Sequence, residues 1–121
     1  MSKLNKLLID LSNHSVAALP MEACGIITKD FNYVPCRNVS NTPTSNFIID
    51  PIQVYKYEDN IWGFFHSHPN SGDPIPSKKD LPSKLFNSIK FVVGFGNKFY
   101  IYWNDNDNLR FEIFDETYDK I

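Results

Sequence analysis

His66, Ser67 and His68 close an apolar run that begins at Ile61, and Asp80 follows twelve residues after the second histidine. Two imidazoles and one carboxylate are a good divalent-metal ligand set. A catalytic zinc site takes three protein ligands and keeps the fourth position for water, whereas a structural site is usually closed by four. Histidines two apart on a strand project from the same face, about 7 Å apart along the chain, and can converge on one ion. Zinc bound this way would lower the pKa of its water to about 7. Such chemistry also needs a general base that is not itself a ligand.

The elements around these residues must hold them in place. Ile61 to His68 reads as a strand buried on both faces, and Pro69 stops it, as expected for ligands at a sheet's carboxyl edge. Asn70 to Pro76 carries two prolines and a glycine and must be a loop; a short helix is expected between Ser77 and Ser88. Because Pro82 is tolerated only in a first turn, that helix is expected to begin near Asp80. Upstream, Leu4, Leu7, Leu8, Leu11, Val16 and Leu19 recur at helical spacing, giving an amphipathic helix that ends near Pro20. Cys24 to Thr28 and Tyr33 to Val39 read as partner strands, with Pro35 marking an edge or a bulge. Phe47 to Ile49 reads as another short strand. Asp50-Pro51 is a helix start, Asp as N-cap and Pro in the first turn, for a helix over Ile52 to Asp59. Three strands follow, Phe91 to Phe95, Lys98 to Trp103 and Leu109 to Phe114, and Asp115 to Ile121 reads as a frayed tail. The element order predicts an α/β fold, a mixed sheet flanked by helices, and 121 residues fit one domain spanning 1–121.

His66-Ser67-His68-Pro69, then Ser77-x-x-Asp80, with Glu22 upstream in Pro20-Met21-Glu22-Ala23-Cys24-Gly25, resembles the JAMM motif of the MPN (JAB) zinc metallopeptidases. The compact form, with its Glu-x-Cys-Gly segment and Pro35-Cys36-Arg37-Asn38, is similar to the prokaryotic and phage branch, including the N-terminal domain of lambda-like phage tail-assembly proteins. The resemblance covers nearly the whole chain. It implies a cytidine-deaminase-like fold, one Zn2+ per chain on His66, His68 and Asp80, Glu22 as the base, and Ser77 helping to stabilise the oxyanion. It also implies hydrolysis of a peptide or isopeptide bond in a protein partner, either a phage tail protein or a ubiquitin-like modifier. Two departures stand out. Eight residues, Pro69 to Pro76, separate His68 from Ser77 where the family commonly has seven, and Pro82 sits two residues past Asp80.

Each of these residues also has a plainer reading. Ser-x-x-Asp resembles a helix-capping box, one glutamate near a strand start is unremarkable, and His14 reads as a solvated histidine on the first helix. Asp73 reads as a turn residue, and Trp62, Phe64 and Phe65 read as core. The alternative to the enzyme is a non-catalytic MPN scaffold, or a tail-assembly component that binds a protein partner. A deaminase-like zinc hydrolase is disfavoured because its Cys-x-x-Cys ligand pair is missing.

The composition removes other classes. A net charge of -2, with lysines scattered, gives no footprint for nucleic acid or an anionic membrane. No segment approaches the roughly 20 apolar residues of a membrane span, and Asp10, Ser12, Asn13 and His14 interrupt any signal-peptide core. The expected place is the cytoplasm of the producing or host cell. Cys24 and Cys36 read as reduced, buried small hydrophobes. The oligomeric state is left open.

Overall fold

The structure, a computed structural model, describes residues 2–120. Helix α1 (Lys3–Ala17) starts at Ser2, whose hydroxyl accepts from the Asn5 amide at 3.1 Å. Leu7, Leu8 and Leu11 form its buried stripe. Strands β1 (Cys24–Thr28) and β2 (Tyr33–Cys36) make a hairpin, short helix α2 (Pro51–Lys56) follows, and β3 (Ile61–Ser67) leads to the histidines. Then come β4 (Lys90–Phe95), β5 (Lys98–Asp105) and β6 (Asn108–Ile113).

These strands form one mixed sheet in the order β2-β1-β3-β4-β5-β6. Only β3 and β4 are parallel; the other neighbours are antiparallel. The fold class read from the sequence is therefore the observed one, and Pro35 does lie on an edge strand. Helix α1 covers one face, where its leucines meet Ala23, Ile27, Phe65, Val92, Phe99, Ile101 and Phe114. The opposite face carries Cys24, His66, Val93 and Tyr100 in register, with Tyr102 beside them. The parallel β3–β4 step forces a long crossover, and residues 68–89 of that crossover carry His68, Ser77 and Asp80.

Several local expectations are corrected. Between Ser77 and Ser88 there is no α-helix; two 3₁₀ turns, Lys78–Asp80 and Lys84–Phe86, lie either side of Pro82. Pro82 offers no amide to continue the first turn, and Ser83 restarts the chain by accepting from the Leu85 amide at 3.3 Å. Asp80 thus ends a turn rather than beginning a helix. Phe47 to Ile49 makes only one bridge, Asn38 with Ile49. Asn38 replaces the missing ladder with its side chain, donating to the Glu22 and Asn46 carbonyls at 3.0 Å and accepting from the Ser40 and Ile48 amides at 3.1 Å. The strand expected to run to Val39 ends at Cys36 for the same reason.

The C-terminal segment is not frayed over the described residues. Phe114 is buried, Tyr118 packs edge-on against it at 5.2 Å, and Lys120 pairs with Glu112 at 2.8 Å; Ile121 lies outside the described residues. His14 is also not simply solvated. Its Nδ1 lies 2.6 Å from the Tyr33 hydroxyl, and partial burial lowers its pKa. Asp73 accepts from the Tyr100 hydroxyl at 2.7 Å and pairs with Lys98, pinning the proline-rich loop to β5.

Candidate metal centre

Strand register builds the centre. Cys24 lies opposite His66, and the ladder runs one step further, because the Ser67 amide donates to the Ala23 carbonyl at 2.9 Å while the Ser67 hydroxyl accepts from the Ala23 amide at 2.7 Å. Extending that register by one more residue sets Glu22 opposite His68. Alternation along the strands then puts Glu22, His66 and His68 on one face. Asp80 comes in from the crossover. The Ser77 amide donates to Asp80 Oδ2 at 2.8 Å, one arm of the capping box, and the Ser77 hydroxyl lies 3.4 Å from the same oxygen.

The three expected ligands meet. His66, His68 and Asp80 each offer a donor atom within 4.8 Å of the others. His66 Nε2 is 3.5 Å from Asp80 Oδ1, and His68 Nε2 is 3.3 Å from Asp80 Oδ2. Two ligands on one tetrahedral ion with bonds of about 2.0–2.2 Å sit about 3.3–3.6 Å apart. The two histidine–aspartate spacings match that range, and the three donors together lie within 4.8 Å of one another, close enough to converge on one ion. His66 Nδ1 is the one buried side-chain nitrogen or oxygen lacking a hydrogen-bond partner among the described residues. Its nearest carboxylate is Glu22 Oε1 at 3.5 Å. With Nε2 given to a metal, the ring proton would sit on Nδ1, facing that carboxylate, the usual support for a ligating histidine.

The electrostatics favour neutral imidazole over imidazolium. Burial pushes the His66 pKa down, and His68 adds to this, while Glu22 and Asp80 oppose it. For Asp80, burial acts to raise the pKa, but His68, His66 and the Ser77 amide together hold it below the usual carboxylate value. A neutral His66 beside an ionised Asp80 is the pairing of states that a metal binds.

The site opens to a cleft of about 280 Å³ lined by Glu22, His68, Asp80, Phe47, Phe91 and Tyr102, among others. Sequence reasoning missed three parts of it. Phe47 stacks on the His66 ring, centroids 4.4 Å apart and planes 16° apart. Tyr102, on β5, brings its hydroxyl to 3.0 Å from His66 Nε2; burial raises its pKa, and Asp80 and Glu22 add to this. Lys79 reaches across to donate to the Ser45 carbonyl at 2.6 Å, tying the crossover to the 41–46 loop. Position alternation on β5 could have flagged Tyr102; nothing local to Phe47 or Lys79 pointed here. Ser77 itself is exposed. Cys24 and Cys36 are free and buried side by side, their thiols pushed up to about 12 and about 11, first by burial.

Comparison with known proteins agrees with this geometry. Residues 4–107 match the family described as prokaryotic homologs of the JAB domain. A 65-residue alignment is 37% identical to "Tail tip assembly protein K" of Escherichia phage N15, covering 48% of this chain and 26% of that protein. The chain thus spans only about a quarter of the length of that curated relative. The solution structure of protein DSY2949 from Desulfitobacterium hafniense superposes with a TM-score of 0.65 over 88% of this chain and 86% of that one, at 22% identity, which is a likeness of fold. With a motif-bearing match over most of its length and a sheet that brings the motif together, the chain belongs to the prokaryotic homologues of the JAB domain.

Proposed function

We propose that this chain is a JAMM-type zinc metallopeptidase that hydrolyses a peptide or isopeptide bond in a protein partner. The observation that carries the reading is the convergence of His66, His68 and Asp80 at ligand-to-ligand distances beside the buried Glu22 in one cleft. Zinc held by those three residues would polarise the scissile carbonyl and acidify the attacking water. Glu22 takes the proton of that water and passes it to the leaving amine. Phe47 covers one face of His66 and limits water access to it. Ser77 steadies Asp80 through its amide, and its hydroxyl turns to the substrate oxygen.

The partner is proposed to be a phage tail protein, by analogy with the tail tip assembly protein that shares this segment, with a ubiquitin-like modifier as the other substrate class. The chain is taken as one domain acting in the cytoplasm of the producing or host cell. Among the described residues no helix is long and apolar enough to cross a membrane. The same relative's name favours a second reading, a tail-assembly component that binds its partner without cleaving it. Incubating the zinc-loaded chain with candidate tail proteins and with isopeptide-linked modifiers, then reading products by mass spectrometry, separates the two. Cleavage by the native chain but not by Glu22→Gln supports the peptidase. Stable binding of a tail protein with no product from any substrate overturns it in favour of the scaffold.

A further inference from the structure

We infer that Tyr102 is a catalytic residue of this centre, a phenol donor to the substrate oxygen as it becomes an oxyanion. This rests on the metallopeptidase reading above and adds a residue to it. Tyr102 is 2% exposed, and its hydroxyl has one partner among the described residues, His66 Nε2 at 3.0 Å. That nitrogen is the one aimed at Asp80, 3.5 Å from Oδ1. A metal bound there would take its lone pair. The phenol proton then loses its acceptor while staying buried, and a buried hydroxyl is costly to leave unpaired.

Three acceptors remain near it. Two are carboxylates: Glu22 Oε1 faces His66 Nδ1 at 3.5 Å, while Asp80 Oδ2 takes the Ser77 amide at 2.8 Å and faces His68 at 3.3 Å, and its Oδ1 lies 3.5 Å from the His66 Nε2 that would hold the ion. The third is whatever oxygen enters the cleft that Tyr102 lines together with Glu22, His68 and Asp80. The ring is held for that role. Phe91, its register partner on β4, packs against it at 5.7 Å, and the His66 ring meets it at 88°. A donor fixed in advance costs no reorganisation when charge develops. Ser77, by contrast, is exposed and must first leave Asp80. Tyr102 therefore supplies the preorganised donor, and Ser77 the adjustable one.

The test uses the full chain and its Tyr102→Phe variant, with three readouts. These are zinc affinity by chelator competition, affinity of the zinc-loaded chain for acetohydroxamate by calorimetry, and steady-state hydrolysis. The expected result is zinc affinity within about threefold of native, acetohydroxamate bound about tenfold or more weakly, and kcat lowered about 10²-fold with KM unchanged. Unchanged acetohydroxamate affinity overturns the inference. So does a tenfold loss of zinc affinity without a loss for acetohydroxamate, which would make Tyr102 a ligand or a positioning residue. A native chain that takes zinc but cleaves nothing sinks the peptidase reading and the catalytic role with it, and the acetohydroxamate comparison then decides only whether Tyr102 donates to an oxygen in the cleft. A native chain that takes no zinc sinks both. Should the Phe variant not fold, NMR of the native chain decides: the Tyr102 hydroxyl proton must shift when acetohydroxamate joins the zinc-loaded protein, and an unmoved resonance refutes the donor role.

Discussion

Replacing Glu22 with Gln removes one charge and almost no volume, so it separates the two things Glu22 can do. Its Oε1 lies 3.5 Å from His66 Nδ1, and the side chain is only 9% exposed. At an effective dielectric of about 20, a charge at that distance is worth about 5 kcal/mol before desolvation, an upper figure for the support it gives a protonated Nδ1. Losing the carboxylate partner of a ligating histidine costs about 10–100-fold in metal affinity. The Gln carbonyl can still accept from Nδ1–H, so the low end applies, about tenfold or about 1.4 kcal/mol. Proton transfer has no such substitute, because an amide is not a base at neutral pH. Turnover should fall by about 10²–10⁴ at saturating zinc. Chelator competition measures the first quantity and product formation at fixed zinc occupancy the second. If turnover and zinc affinity fall in the same proportion, Glu22 acts only through His66 and the general-base assignment is wrong. If zinc stoichiometry collapses, Glu22 is a ligand.

Two further outcomes follow from the same packing. In the metal-free chain, burial depresses the His66 and His14 pKa values below the ordinary 6.5. The unfolded chain therefore binds more protons below that pH, and folding free energy should be flat above about pH 6.5 and decline below it. Urea denaturation from pH 8 to 5 checks the sign, and stability that rises on acidification would contradict the burial argument. Gly25→Ala would drive a methyl into the Tyr33 ring, which is fixed by His14 at 2.6 Å and by the edge of Phe65 at 5.8 Å. Overpacking there should cost about 1–3 kcal/mol, lowering Tm by about 4–12 °C, readable by calorimetry; an unchanged Tm would mean Tyr33 moves freely.

What the sequence made legible were features set by short-range chemistry. The apolar run from Ile61 to Phe65 could hardly be anything but a buried strand, and the histidines at its end share a face by alternation alone. The leucine spacing of α1 and the Asp50-Pro51 start are equally local, and both formed. The features that escaped depend on what packs from a distance. Phe47 reads as strand because its neighbours are Ile48 and Ile49, yet Asn38 takes the backbone bonds a strand would need, leaving the phenyl free to stack on His66. Tyr102 reads as one more aromatic core position, and only the β4–β5 pairing carries its hydroxyl to His66. The polar tail from Asp115 looks soluble until Phe114 anchors it and Tyr118 closes over that ring. Ser77 illustrates the converse: its Ser-x-x-Asp spacing matches the motif, but in the observed turn its amide and hydroxyl both serve Asp80.

Everything proposed for this cleft depends on His66, His68 and Asp80 holding a metal ion. Elemental analysis of the purified full chain beside His68→Ala, each dialysed after equal exposure to zinc, tests it most directly. The native chain should carry about one zinc and the variant a tenth of that or less, because two remaining ligands cannot complete the set. Equal zinc in both proteins, or none in either, would mean that the donor atoms seen 3.3–3.5 Å apart do not act as one site.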